Sequence, residues 1–332
     1  MKIKAMVATG LGGPDVLQLQ DVALGWPRGP SDVLVDLRAA ALNPADLFFR
    51  QLGGYISGNH PLVLGHDGMG VVKAVGSAVS SVKPGDRVCF CNGGIGGEFG
   101  TYAESAVVPD WQLAKVPDVV DDLTAAALPL VAITCWESLY QRAAVGAGEH
   151  VLIHGGAGGT GHVAIQLAAL RGARVATTVS SDEKARIVNG LGAELAINYR
   201  EADFAGEAHR WSGGLQVAFD NAGADVMQKT YRAMAPYGRV VTLMGVAADD
   251  SDLNAYNLNL TIHNVMMLSP MWKGLENRLK EQAEIVREAL ALVAAGQLRI
   301  RLDECFPLAE AARAHTHLES GKATGKVTLR IA

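Results

Sequence analysis

The chain has 332 residues, 49% of them hydrophobic and 19% charged, with a formal net charge of −5. At roughly 100–200 residues per domain this predicts two domains with ample apolar side chains for two cores, and it excludes disorder over any large segment. The pI is near 6.0 and no Lys/Arg stripe is present, which argues against nucleic-acid or anionic-membrane partners; no apolar run reaches the ~20 residues that span a bilayer.

The opening residues Met1–Val7 lack the apolar core of a signal peptide. Four cysteines, Cys89, Cys91, Cys135 and Cys305, form no disulfide ladder, so the expected setting is the reducing cytoplasm. The first third reads as β. Asp32–Leu37, Gly70–Val75 and Arg87–Phe90 are Val-rich runs bounded by Gly, Pro and Asp, and Lys83-Pro84-Gly85-Asp86 is a turn ahead of a strand. A small barrel-like β domain is expected over residues 1–122.

From about residue 122 the pattern alternates. His150–His154 reads as a buried strand, Thr160–Leu170 as a helix, Arg174–Val179 as a strand and Asp182–Leu191 as a helix. Ile197–Tyr199, Gln216–Asp220, Arg239–Met244 and Asn264–Leu268 continue the strands. This predicts an α/β fold, a doubly wound parallel sheet with helices on both faces, over residues 123–268. The last segment, residues 269–332, changes again. Leu275–Ala295 is a long amphipathic helix, followed by a short strand, a helix at Leu308–Leu318 and a final strand at Lys326–Ile331.

Gly156-Ala157-Gly158-Gly159-Thr160-Gly161 fits G-x-G-x-x-G in the required context, after a strand, opening a helix and inside a unit of about thirty residues. One glycine allows the tight turn, one admits the pyrophosphate and one lets helix and strand pack. The helix N-terminus offers N–H groups and a positive dipole to phosphate. An NAD site carries Asp or Glu at the end of the second strand, on the ribose 2′-hydroxyl. Here that strand ends in Val179-Ser180. Asp182 is the rival candidate, but Ser180 with Glu183 three residues on reads as a capping box, with Asp182 and Glu183 in a first helical turn. Ser180, Lys184 and Tyr199-Arg200 are the candidates for a 2′-phosphate. NADPH is therefore expected, with NADH the alternative.

These motifs, together with Gly12-Gly13-Pro14-Asp15-Val16-Leu17, Asn43-Pro44-Ala45-Asp46, Gly65-His66-Asp67-Gly68-Met69-Gly70, Gly85-Asp86-Arg87-Val88, Ala126-Ala127-Leu128-Pro129 and Gly321-Lys322-Ala323-Thr324-Gly325-Lys326-Val327, resemble the medium-chain dehydrogenase/reductase superfamily, specifically its zinc-free NADPH:quinone reductase branch. The resemblance covers nearly the whole chain. It implies a GroES-like catalytic domain built from both ends of the chain, a Rossmann domain between them, and a homodimer. Zinc members hold the metal with an early Cys, the His of a Gly-His-Glu motif, and a later Cys or acid. Here Asn43 stands at the Cys position and Asp67 follows His66. A catalytic zinc needs three protein ligands and an open position, so no metal site is expected, and His66 reads as a hydrogen-bonded histidine beside the barrel wall.

Without a Lewis acid, alcohol oxidation is disfavoured, while reduction of an activated acceptor stays feasible. The resemblance implies a zinc-independent, NADPH-dependent reductase of quinones or α,β-unsaturated carbonyls. It places Asn43 near the nicotinamide and Tyr55 in the active site, where the phenol would donate a hydrogen bond or proton to the acceptor oxygen; a wall residue is the alternative for Tyr55. Asp46 reads as a cap of the helix begun by Leu47–Arg50. Thr134 is a candidate for the carboxamide and Lys322 for a basic group near the cofactor. Two departures stand out: His162 where a small residue is expected, and a longer loop at Gly54–His60. The competing functions are a non-catalytic NADPH-binding structural or regulatory protein, since relatives in the branch include lens proteins and RNA binders, and, with less support, a zinc alcohol dehydrogenase.

Overall fold

A computed structural model of the chain describes residues 1–53, 62–93, 99–245 and 254–332. It divides into two compact units, Met1–Ile133 with Leu268–Ala332, and Thr134–Met267.

The first unit begins with β1 (Lys2–Ala8) and β2 (Leu17–Ala23), an antiparallel pair. There follow β3 (Asp32–Ala41), α1 (Pro44–Leu52), β4 (Leu62–Val63), β5 (Asp67–Val75), β6 (Arg87–Cys91), β7 (Ser105–Pro109), β8 (Ala114–Lys115), α2 (Asp122–Ala127) and α3 (Pro129–Trp136). The longest strand, β3, is the hub: it pairs with both β5 and β7. Its alternating apolar residues Val33, Val35 and Leu37 pack with Val72, Val88, Phe90, Ala106 and Val108 into one core, as a period of two along a strand requires.

Helix α1 starts earlier than the sequence suggests, at Pro44 and not at Leu47. Proline at the first helical position costs no hydrogen bond there. Asp46 is accordingly not the N-cap but the third residue of the helix, and its carboxylate reaches back to accept the N–H of the true cap, Asn43, at 2.8 Å. Directly after α3, Glu137–Arg142 winds as a π-helix, which apolar periodicity alone does not signal.

The second unit runs β9 (His150–Ile153), α4 (Gly161–Leu170), β10 (Arg174–Val179), α5 (Asp182–Asn189), β11 (Leu195–Asn198), α6 (Phe204–Ser212), β12 (Leu215–Asp220), α7 (Ala224–Tyr231), β13 (Met234–Thr242), α8 (Asn254–Asn257) and β14 (Thr261–Asn264). The strands form a parallel sheet in the order β11-β10-β9-β12-β13-β14. The winding reverses between β9 and β12, and the carboxyl ends of strands at such a reversal are where doubly wound sheets bind ligands. Strand β14 ends where the sequence places its start. Asn264 pairs with Thr242, the last residue of β13, so the partner strand runs out there. The apolar run beyond it, Val265 and Met267–Leu268, is buried outside the ladder.

The chain then returns to the first unit as α9 (Ser269–Lys273), α10 (Glu276–Ala294), β15 (Leu302–Pro307), α11 (Ala311–Glu319) and β16 (Lys326–Arg330). The helix expected over Leu308–Leu318 opens with a 3₁₀ turn, Leu308–Glu310, before α11. Strand β16 joins β3 antiparallel, with Thr328 opposite Ala41. That pairing carries the start of β16 to the end of β3, beside Asn43. Among the described residues no helix is long and apolar enough to cross a membrane.

Candidate active site

The glycine-rich turn joins β9 to α4. A Cβ on Gly156 would lie 2.1 Å from Thr177 Oγ1 and 2.8 Å from Ile165 Cδ1, and one on Gly161 would lie 2.3 Å from the carbonyl oxygen of Gly155. These two glycines are demanded by the packing of helix on strand. Gly158 is less confined: the nearest atom to a Cβ there is Gly155 O at 3.3 Å, a close contact that asks the backbone to give by a few tenths of an ångström and does not overlap it. Ala157 is buried, while Gly159 and Thr160 are partly exposed at the mouth of α4. The first N–H groups of a helix have no intrahelical partner, and a dinucleotide pyrophosphate fits this cradle.

His162, the departure at the start of α4, has a structural task. Wholly buried, it donates from Nδ1 to Gly158 O at 2.9 Å and ties the turn to the helix. A second buried histidine holds the turn from below. Thr230 donates its hydroxyl to Val226 O, so it accepts from His154 Nε2 at 2.9 Å. His154 Nδ1 is then the acceptor for the Thr178 hydroxyl at 3.2 Å, whose oxygen takes the N–H of Gly155 at 3.0 Å. Burial pushes the His154 imidazole down to about 4, against the pull of Asp220, so it is neutral in this role.

At the end of β10 the capping residue is Ser181 and not Ser180. The Ser181 hydroxyl accepts the N–H of Lys184 at 3.3 Å, and its extended backbone is that of an N-cap. Asp182 and Glu183 fall in the first turn, where the dipole favours acids. Ser180 stands outside the cap, at the carboxyl end of β10. Tyr199 follows the adjoining strand β11 and donates its N–H to Val179 O at 3.1 Å; its ring is half exposed. Ser180 and Tyr199 thus stand at the ends of adjoining strands of one sheet, and Lys184 stands in the first turn of α5. Thr134 is buried in α3, Lys322 is exposed, and Tyr55 lies outside the described residues.

The first unit holds a buried polar network that the sequence reveals only in part. Asn43 donates from Nδ2 to Asp67 Oδ2 at 2.9 Å. Lys326 Nζ donates to Asn43 Oδ1 at 2.5 Å and lies 3.3 Å from the same Asp67 oxygen. Asp67 Oδ1 accepts the N–H of Leu130, at the start of α3, at 2.7 Å. All three side chains are essentially inaccessible. Burial holds the Asp67 carboxyl above its ordinary value despite Lys326, Asn43 and the Leu130 N–H. The buried lysine of the C-terminal motif is therefore Lys326, with Lys322 left on the surface.

A second branch starts at Asp46, whose Oδ1 lies 2.7 Å from His66 Nδ1 and whose Oδ2 lies 3.2 Å from the Tyr102 hydroxyl. Tyr102 meets His315 Nε2 at 3.3 Å, and His315 Nδ1 meets Arg50 at 3.0 Å. Arg50 also bonds Glu319 and Gly12 O. Burial pushes Asp46 upward, but His66 and the Asn43 N–H outweigh it, so its carboxyl sits below the ordinary value. Burial takes the His315 imidazole down to about 4. Arg50, Tyr102 and His315 lie outside the motifs, while Asp67 and Lys326 lie inside two of them without the motif revealing that they pair. The one available signal is a charged or polar residue set inside an apolar run, as at Lys326 before Val327.

Residues 29–118 match the family model of the alcohol dehydrogenase GroES-like domain, and residues 191–329 that of the zinc-binding dehydrogenases. A quinone oxidoreductase of Pseudomonas aeruginosa is 33% identical over 320 residues, covering 96% of both chains. The chain belongs to the quinone oxidoreductase branch of the medium-chain dehydrogenase/reductase superfamily. A 2-haloacrylate reductase of a Burkholderia species is 32% identical, covering 98% of each chain. The crystal structure of an alcohol dehydrogenase superfamily protein from Novosphingobium aromaticivorans is 35% identical, with a TM-score of 0.90 over 99% of this chain and 100% of that one. As a member of this family the protein is an oxidoreductase with a GroES-like unit and a Rossmann-type unit that takes a nicotinamide cofactor. Among the described residues, no three His, Cys, Asp or Glu side chains converge as metal ligands.

The glycine geometry predicts a separation of effects. Gly161→Ala drives a methyl into backbone and should cost roughly 1–3 kcal/mol by overpacking, read as a lowered melting temperature. Gly158→Ala, whose methyl meets backbone only at 3.3 Å, should lower melting clearly less than Gly161→Ala yet weaken dinucleotide binding measured by calorimetry. Equal stability losses in both variants would remove the ligand-facing role of Gly158.

The neutral histidines predict a pH dependence. An unfolded chain protonates His154 and His315 near the ordinary 6.5, the folded chain only near about 4. The unfolded state thus binds more protons between these values, so their stabilisation is complete above 6.5 and lost as pH falls to about 4. Each contributes on the order of 3 kcal/mol, with the raised Asp67 working in the opposite direction. Urea midpoints from pH 7 to 4.5 should fall, and His154→Gln should flatten the slope by close to one proton. An unchanged slope would refute the neutral, buried role.

Proposed function

We propose that the protein is a zinc-independent, NADPH-dependent reductase that transfers hydride to a quinone or an α,β-unsaturated carbonyl compound. The full-length similarity to a quinone oxidoreductase carries this reading. The 2-haloacrylate reductase, equally full-length, supports the same class of electron-poor acceptor. Independence from zinc is supported by Asn43, which stands where zinc relatives carry a cysteine and whose amide is committed to Lys326 and Asp67. NADPH is supported by the end of β10, where the acids Asp182 and Glu183 belong to the first turn of α5, Ser180 is left outside the cap and Tyr199 follows the adjoining strand.

The bound cofactor supplies hydride. Around it the chain binds and orients. The turn Gly156–Gly161 and the dipole of α4 hold the pyrophosphate; Ser180, Lys184 and Tyr199, with Arg200, hold the 2′-phosphate. The family resemblance assigns Thr134 and Lys322 to the cofactor, Asn43 to the neighbourhood of the nicotinamide and Tyr55 to a hydrogen bond on the acceptor oxygen. Such a bond stabilises the charge that develops there without a metal. A cytoplasmic homodimer belongs to the same reading.

Lys184→Ala should raise KM for NADPH several-fold more than KM for NADH in steady-state assays. Equal effects on both cofactors would remove the 2′-phosphate role, and a parent enzyme that favours NADH would sink the assignment. Purified protein should contain no stoichiometric zinc by elemental analysis and keep its activity in chelator. About one zinc per chain, lost together with activity, would overturn zinc independence.

A further inference from the structure

We propose that Asp220 is a positioning residue for cofactor binding: through the turn after β12 and the end of β13 it shapes the floor on which the nicotinamide half of the dinucleotide rests. The inference rests on the cofactor reading above and concerns the side of the glycine turn away from Ser180 and Tyr199.

The place follows from the sheet order. The glycine turn follows β9, and the residues assigned to the 2′-phosphate follow β10 and β11. A dinucleotide lies across the point where the winding reverses. Its other half therefore falls on the opposite side of β9, over the carboxyl ends of β12 and β13. The two sides are level. Phe219 pairs with Ile153 in the parallel ladder. Two residues further on, the Asn221 amide oxygen lies 3.3 Å from where a Cβ on Gly155 would stand. Asn221 is half-buried and borders the glycine turn directly.

Asp220 is the last residue of β12 and is wholly buried. A carboxylate out of water is tolerated only where donors meet it. Its Oδ1 accepts the N–H groups of Ala222 at 3.0 Å and Gly223 at 3.1 Å, and its Oδ2 accepts the Thr242 hydroxyl at 2.9 Å. The Thr242 oxygen in turn accepts the N–H of Met244 at 3.1 Å, and the N–H of Leu243 goes to Asp220 O at 3.0 Å. One residue thus fixes both segments that leave β12 and β13. The cap position of α7 is Gly223, three residues beyond Asp220, so the carboxylate shapes the turn and not the helix start. The turn also dictates that glycine: Gly223 has φ +114°, although a Cβ there would meet nothing within 4 Å.

The surface so held is uncharged. Asn221, Ala222 and Met244 are all at least partly exposed, and neither Asn221–Gly223 nor Leu243–Gly245 contains a lysine or arginine. An amide beside two apolar side chains suits a ribose and a carboxamide-bearing ring, and not a second phosphate. Backbone fixed before the ligand arrives lowers the ordering cost of binding. Asp220 therefore acts on affinity through Asn221 and Met244 and touches no ligand itself.

The test is calorimetric binding to the full chain, without acceptor, of NADPH and of 2′,5′-ADP, which carries the adenine half alone. Thr242→Val removes both the donor to Asp220 and the acceptor for the Met244 N–H. It should weaken NADPH on the order of tenfold and leave 2′,5′-ADP at the parent affinity. Thr242→Ser, which keeps the hydroxyl, should restore NADPH binding. Asp220→Asn, whose amide nitrogen displaces the acceptor for Thr242, should show the same split as Thr242→Val. Retained 2′,5′-ADP binding reports a folded unit, and the two Thr242 variants carry the test if Asp220→Asn does not fold. Parental NADPH affinity in Thr242→Val, or an equal loss for both ligands, would overturn the proposal. A parent that prefers NADH and 5′-ADP would overturn the NADPH reading alone, with the same split then read between those two ligands. A parent that binds neither dinucleotide would overturn the cofactor reading, and the inference with it.

Discussion

Two buried carboxylates, Asp46 and Asp67, set the terms for the GroES-like unit. An ionised group out of water is tolerable only when paired and hydrogen-bonded, and stripping one partner from such a pair typically costs about 3–5 kcal/mol. Asp46 is met by the Asn43 N–H, His66 and Tyr102, whereas the rest of the network comes from far along the chain. Lys326 reaches Asn43 and Asp67 from the start of β16. His315 and Glu319 reach Tyr102 and Arg50 from α11. The chain must therefore leave for the Rossmann-type unit and return before Asp67 gains its lysine and Arg50 its carboxylate.

The dinucleotide turn is governed by the same economy on a smaller scale. Its backbone must stay open to a ligand while being held from behind. Gly156 and Gly161 let helix and strand approach. His162 ties the turn to α4, and His154 with Thr178 and Thr230 ties it to the sheet and to α7. Both imidazoles are thus directed toward structure and hold the turn from within the protein.

The fold was largely legible in the sequence because it follows from period and punctuation. Arg174–Val179 as a strand and the long amphipathic helix near 275–295 were read almost to the residue. Boundaries failed where a neighbour decides them: β14 stops because β13 stops, and α1 begins at Pro44 because Asn43 and Asp46 cap it. The site was legible where local chain geometry makes it, as in the glycine turn. It was not legible where it is assembled from distant residues. Asp46 gave a sign of a cap and none of its contact with His66. Lys326 and Arg50 look like ordinary surface cations in the sequence, and only the return of β16 and α11 shows them to be buried.

The serine pair at the end of β10 has an evolutionary side. Ser181 keeps the helix start, while Ser180 owes nothing to it. Adjacent positions thus divide two duties that a single capping residue would have fused. A side chain at 180 can drift, acquiring or losing charge, without unravelling α5, so natural lineages and laboratory selections alike have one position at which to retune what the strand end greets while the scaffold beneath stays constant.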